Sequence, residues 1–170
     1  MKKMLAAFFL IFSIRSQGQQ MVKSDPAAVH SVDGIIKEML RLISGKNGET
    51  RNWEALRNLF HPQATFTVLN HGDSAPARTE TVSLDTFIQL MHDPYYEQGY
   101  LERETGKTID QYNGIAHVFQ GYYGKDSENR EERGINSYQL VYYSNRWWIL
   151  HILWTGDSNG VKVPKRYLSQ

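Results

Sequence analysis

Two glutamates, Glu102 and Glu104, stand two residues apart within Leu101–Gln111, a polar stretch that reads as a strand. That spacing puts both carboxyls on one face. Neighbouring carboxyls resist double ionisation, so one of the pair would keep its proton to a higher pH and could serve as an acid or base. Arg103, Lys107 and Arg133 supply the competing reading, a solvated ladder of charges. His117 is the other candidate base. It shares a strand face with Phe119, and pairing with Gln139 would let it act as a base or hydrogen-bond donor. A ring satisfied by a backbone carbonyl, or placed at a subunit edge, is the alternative. The six histidines, at 30, 61, 71, 92, 117 and 151, show no H-x-H or H-E-x-x-H spacing, so no metal site is expected. No G-x-S-x-G, P-loop or G-x-G-x-x-G is present either, and no cofactor is implied. Cysteine is absent, which excludes disulfides, thiolate metal sites and a cysteine nucleophile.

The remaining chain must position these groups. Its 170 residues suit one domain with a real core. Lys2-Lys3, the apolar run Met4–Ile14 and the small residues of Ser16-Gln-Gly18 have the layout of a secretory signal, too short to span a membrane. The sequence therefore divides into a signal peptide over 1–18, a short lead over 19–24, a domain over 25–157 and a tail over 158–170. It implies export to a periplasmic or extracellular space. Loss of Lys2, Lys3 and Arg15 with the signal would leave 16 basic against 18 acidic side chains, a net charge of −2. Such a balance offers no electrostatic footprint for nucleic acid. The small basic cluster Val161–Arg166 in the tail reads as a solvated end.

Asp25-Pro26 predicts a helix start, and Val29, Val32, Ile36, Met39, Leu40 and Ile43 recur at three- and four-residue steps up to Gly45. Asn52 would cap a second helix carrying Trp53, Leu56, Leu59 and Phe60, ended by His61-Pro62. Thr65–Leu69 and Arg78–Val82 read as strands, with Ser83 capping a third helix from Leu84 to His92. Leu101–Gln111 and Gly114–Tyr123 read as strands, and the charged stretch Gly124–Arg133 as a surface loop. Arg133–Trp154 forms a β-hairpin turning at Ser144-Asn145, apolar on both faces, so both faces need cover. Helices on one side of an antiparallel sheet make an α+β fold.

Asn52–Phe66, Gly114–Val118 and Asn145–Ile149, in that order along the chain, resemble the nuclear-transport-factor-2-like superfamily in its SnoaL-like and ketosteroid-isomerase-like branch. The resemblance implies a cone-shaped, strongly curved, mostly antiparallel sheet wrapped around three N-terminal helices, with a pocket inside and a convex face that makes a homodimer. Facing hairpin pairs then sum to 289, setting Tyr142 opposite Trp147 and Gln139 opposite Leu150. By this resemblance Ile135, Ser137, Gln139, Val141, Trp148, Leu150, Ile152 and Trp154 face the pocket. Asn136, Tyr138, Leu140, Tyr142, Trp147, Ile149, His151 and Leu153 lie on the convex side, where all but Asn136 would meet a second subunit.

The same resemblance places His117 in the pocket and His61 at the cone mouth. The isomerase branch carries its general-base aspartate where this chain has Val68, and its oxyanion-donating aspartate near Ser137. Steroid isomerisation therefore lacks its central parts. What is left is a cavity lined by Phe66, Val68, Phe119, Ser137, Gln139, Trp148, Ile152 and Trp154, suited to a small hydrophobic or aromatic ligand. The alternative is that these aromatics fill the cone as core. The sequence thus predicts an exported, non-catalytic ligand-binding dimer. It leaves open an isomerase, cyclase or dehydratase using His117, Glu102 or Glu104, and a protein-interaction module using the convex face.

Overall fold

A computed structural model describes residues 25–71 and 76–168. The expected signal and lead, residues 1–24, lie outside the described residues. Six strands form one sheet in the order β2-β1-β6-β5-β4-β3: β1 Phe60–Asn70, β2 Arg78–Ser83, β3 Tyr100–Tyr112, β4 Ile115–Asp126, β5 Glu131–Tyr143 and β6 Arg146–Gly156. Every neighbouring pair is antiparallel except β1 with β6, which is parallel. The helices α1 Val32–Ile43, α2 Trp53–Arg57, α3 Leu84–Leu90 and the short α4 Pro94–Glu97 complete the α+β fold.

Local chemistry sets most of these boundaries. Ser31 is extended, and its Oγ accepts from the Gly34 N–H at 3.0 Å, so α1 starts there, after a 3-10 turn at Ala28–His30, and not at Asp25-Pro26. Asn52 and Ser83 cap α2 and α3 through the N–H groups of Ala55 and Thr86. The β3–β4 turn uses Asn113 and Gly114 and the β5–β6 turn Ser144 and Asn145, all at positive φ, the geometry that matches the twist of a two-residue hairpin. The stretch expected as a surface loop, 124–133, is mainly strand: β4 runs on to Asp126 and β5 begins at Glu131. Asp126 closes the tight turn by accepting from the N–H groups of Glu128 and Arg130 and from the Arg130 guanidinium.

The core lies between α1, α2, α3 and one face of the sheet, the concave one. Ile35, Ile36, Leu42 and Leu56 meet Val118, Tyr138, Leu140 and Ile149 there, all but fully buried. The hairpin faces expected from the sequence are therefore corrected. Tyr138, Leu140 and Ile149, expected on a dimer surface, are inside the subunit, and Asn136, Tyr142 and Trp147 share their side of the sheet. Tyr142 does face Trp147, but Gln139 faces His151, not Leu150, because an extra residue on β6 shifts the register between Gln139 and Leu140. This bulge at Leu150 lets Ile149 and Ile152, three residues apart, both point inward, and returns His151 and Leu153 to the convex face. The convex face leaves Ile115, Phe119 and Leu153 exposed. The tail is not merely a solvated end: Tyr167 is buried, its carbonyl accepts from Thr105 Oγ1 at 2.7 Å, and its ring meets Phe119.

Candidate functional site

Between the concave face and α1, α3 and α4 lies a cavity of about 350 Å³. Met39 and Ile43 of α1, Phe66 of β1, Phe87 of α3, Met91 and Ile152 give it an apolar end, where the Phe66 and Phe87 rings stack at 3.9 Å. Tyr96, Tyr100, Tyr122 and Trp154 form aromatic walls. The polar end holds Glu102, Glu132 and Asn136, with Lys125, Asp126, Arg130 and Glu131 of the β4–β5 turn region also in the lining.

Glu102 sits at the centre of the polar end. Its carboxylate accepts from the Tyr100 hydroxyl at 2.7 Å and from the Asn136 amide at 2.9 Å. Burial pushes its pKa up, the two hydrogen bonds act against that, and the charge of Glu132 adds to the rise. Glu132 lies at the mouth next to Tyr122, and burial likewise raises its carboxyl. The phenols of Tyr100 and Tyr122 are held far above their usual range by burial and by these carboxyl neighbours. They stay protonated, and so donate hydrogen bonds, at any physiological pH. Gly124 lies between the two acids, paired with Glu102 on one side and Glu132 on the other. A Cβ there would come within 3.1 Å of the Tyr100 hydroxyl, so glycine lets that ring lie close against the strand.

Beneath the site runs a buried chain of hydrogen bonds. Asn136 also reaches Gln120 Oε1 at 3.4 Å, Tyr138 donates to the same oxygen at 2.9 Å, and Gln120 donates to Glu104 at 2.8 Å. Glu104 in turn binds Lys107, whose ammonium also pairs with Asp33 of α1 at 2.6 Å. This chain fixes the Asn136 amide that orients Glu102.

The sequence candidates divide by face. Glu102 and Glu104 share the concave face, but only Glu102 lines the cavity, while Glu104 is neutralised by Lys107. His117 is corrected to the exposed convex face, where its Nε2 lies 2.9 Å from Ser137 Oγ; Gln139 is its cross-strand neighbour. Phe119, Ser137, Gln139 and Trp148 lie on that outer face as well, and Trp148 packs under Arg146 and against Tyr143. Phe66, Ile152 and Trp154 line the cavity, and Val68 pairs with Trp154 on the inner face just beyond it. His151 bonds Thr65 Oγ1 at 2.8 Å on the convex side, and the His61 ring lies edge-on to Tyr143. Tyr100, Tyr122, Glu132 and Asn136 escaped the sequence reading. Strict alternation of Asn136, Tyr138 and Leu140 against Ser137 and Gln139 is the signal that would have turned Asn136 inward. Among the described residues no three His, Asp or Glu side chains converge as a metal site.

No family model and no curated protein matches this chain in sequence. Its fold is found among solved structures. An NTF2-like protein with a cystatin-like fold from Novosphingobium aromaticivorans superposes with a TM-score of 0.56 at 12% identity, over 80% of this chain and 85% of that one. A protein put forward as a scytalone dehydratase from the same organism gives 0.54 at 11%, over 74% and 80%. The CaMKII hub of S. rosetta gives 0.54 at 13%, over 79% and 99%. The sheet order, the inner cavity and these superpositions together define an NTF2-like fold. At such identities the likeness extends to the fold alone, and the site must speak through its own residues.

Proposed function

We propose that this domain binds a small, partly aromatic molecule in its inner cavity, with Glu102 as the group that fixes the ligand's polar end. One observation carries this reading: a largely buried carboxyl, held from two sides by Tyr100 and Asn136, faces an open volume with aromatic walls. A thermal-shift screen of ring-bearing fragments tests the reading. Hits should raise the melting temperature of the wild type and lose that effect in Ile152→Trp, which fills the apolar end. Hits that act equally on both proteins, or no hits at all, would refute it.

A second reading is favoured by the raised Glu102 carboxyl beside the Tyr100 hydroxyl: acid–base catalysis of the isomerase, cyclase or dehydratase kind. A carboxyl whose pKa is raised by burial is a better acid–base group for protonating a leaving hydroxyl or an enolate oxygen and taking a proton back than an exposed one. His117 is on the wrong face for this role. A solved structure put forward as a scytalone dehydratase shares the fold. The two readings part on one variant: on the first Glu102→Gln weakens ligand binding, and on the second it abolishes turnover of any substrate found.

The domain self-associates through its convex face, where Ile115, Phe119 and Leu153 are exposed in the single subunit. The CaMKII hub of S. rosetta has this same fold. Leu153→Asp is expected to shift the sedimentation coefficient from dimer to monomer; a wild type already monomeric at micromolar concentration would sink the dimer. Export through residues 1–18 rests on Lys2-Lys3 and the apolar run behind them. N-terminal sequencing of secreted protein, beginning near residue 19, is the check.

A further inference from the structure

Building on the cavity reading above, we infer that the ligand is an organic cation: a protonated amine carried on an apolar or aromatic body. The inference starts from the register. Glu102, Gly124 and Glu132 occupy one cross-strand row of the concave face on β3, β4 and β5. With strands about 4.8 Å apart, the two acidic positions are on the order of 10 Å apart at their Cα atoms, and the residue between them has no side chain. Both acids line the cavity: Glu102 stands beside the Tyr100 hydroxyl that covers Gly124, and the Glu132 carboxyl lies over Gly156 of β6.

The partners of these acids are neutral. Glu102 has the Tyr100 phenol and the Asn136 amide; Glu132 has the Tyr122 phenol, and Asp157 adds further negative charge near it. No lysine or arginine among the described residues stands against either carboxyl. Arg130, close to the rim, pairs with Asp126 at 2.7 Å and with Glu128 at 3.2 Å. Lys125 also lines the cavity, in the row of Leu101 and Glu131, so the lining sets the four acids Glu102, Asp126, Glu131 and Glu132 against Lys125 and Arg130. Tyr96, Tyr100, Tyr122 and Trp154 offer the ring faces that attract a positive charge.

Three ligand classes can be weighed against this arrangement. An anion would meet more acids than cations in the lining, and of the two cations Arg130 is already paired with Asp126 and Glu128. A neutral molecule would leave both acids as they are, one of them largely desolvated. A protonated amine gives its N–H groups to the free lone pairs of Glu102 and supplies the missing counter-charge, while its apolar body fills the end built by Phe66, Phe87 and Met91.

The test uses three probes of nearly equal shape and different charge, each titrated into the purified protein by calorimetry at neutral pH: 2-phenylethylamine, 2-phenylethanol and 3-phenylpropionate. The amine is expected to bind about tenfold or more tighter than the alcohol, as a charge-assisted hydrogen bond would give, and the acid weakest of the three. Glu102→Gln should bring the amine down to the alcohol's affinity and change the alcohol less than about twofold. If the alcohol or the acid binds as well as the amine, the charge assignment is overturned while the cavity reading stands. If none of the three binds, both are overturned. The comparison among probes is made on the wild type, so it holds even where a variant fails to fold.

Discussion

The two faces of the β4–β5 pair carry the two kinds of acid–base group, and their surroundings are opposite. On the convex side His117 is exposed and shares its ring nitrogen with Ser137. On the concave side, Asn136, the neighbour of Ser137 in sequence, holds Glu102 in a cavity where burial raises the carboxyl. Residue type alone would favour the histidine as the base near neutrality. Position reverses that preference: Glu102 lines the ligand volume and burial raises its carboxyl, whereas His117 stands on the opposite face of the sheet.

The sharpest way to break the comparison is to cut an apolar side chain from each face. Leu140, 2% exposed, lies against the helices, and Leu153, 40% exposed, points outward. Leu140→Ala is expected to destabilise by about 2–5 kcal/mol in urea unfolding, the range for a buried leucine that leaves a cavity. Leu153→Ala should cost less than about 1 kcal/mol in subunit unfolding and act on subunit dissociation instead. Equal costs would mean the convex face is as covered as the concave one within a single subunit.

The next test concerns the sign of a pH effect. A carboxyl whose folded pKa is raised stabilises fully below its unfolded value, and that contribution is lost as pH rises through the folded value. Glu102 is such a group, with Tyr96, Tyr100, Tyr122 and Glu132 facing it from α4, β3, β4 and β5. Glu102→Gln keeps an acceptor for Asn136 without a charge to desolvate. Its melting temperature should match the wild type near pH 4 and exceed it by a few degrees at pH 8, each kcal/mol being worth about 2–4 °C at this chain length. A variant less stable at pH 8 than at pH 4, relative to wild type, would show that the ionised carboxylate is compensated.

The helices, two of their caps and the final hairpin were legible because local signals agree with the fold, while the cone came from the family resemblance and the cap of α1 was missed. Asn52 and Ser83 precede apolar periodic runs, and Ser144-Asn145 is a turn pair between two apolar strands. Which face each strand turns inward was not legible, for a specific reason. Parity along β6 changes at the Leu150 bulge, so Ile152 and Trp154 fall inside as expected, whereas Ser137, Gln139 and Trp148, read with the same parity, fall outside. One inserted residue moves every side chain beyond it to the other face. Glu132 stayed hidden because a run as charged as 125–133 reads as loop, and its strand character depends on pairing with β4, a tertiary fact. Glu102 could be singled out locally, but its separation from Glu104 could not. That rests on Lys107, which the β3 bulge near Thr105 brings onto the same face.

The smallest expected effect is also the most discriminating between the two bases. His117→Ala removes one exposed hydrogen bond to Ser137 and leaves Asp110 and Gln139 as its former cross-strand neighbours, both free to bond water. Exposed substitutions of this kind stay within about 0.5 kcal/mol. Subunit stability should therefore be unchanged within error, and so should the affinity for 2-phenylethylamine, since the imidazole and the cavity lie on opposite sides of a sheet one residue thick. Calorimetry on His117→Ala beside Glu102→Gln reads this directly. A loss of binding in the histidine variant equal to that in the glutamate variant would mean that the two faces communicate, and that the convex side takes part in the site through the backbone of β4 or through a second subunit.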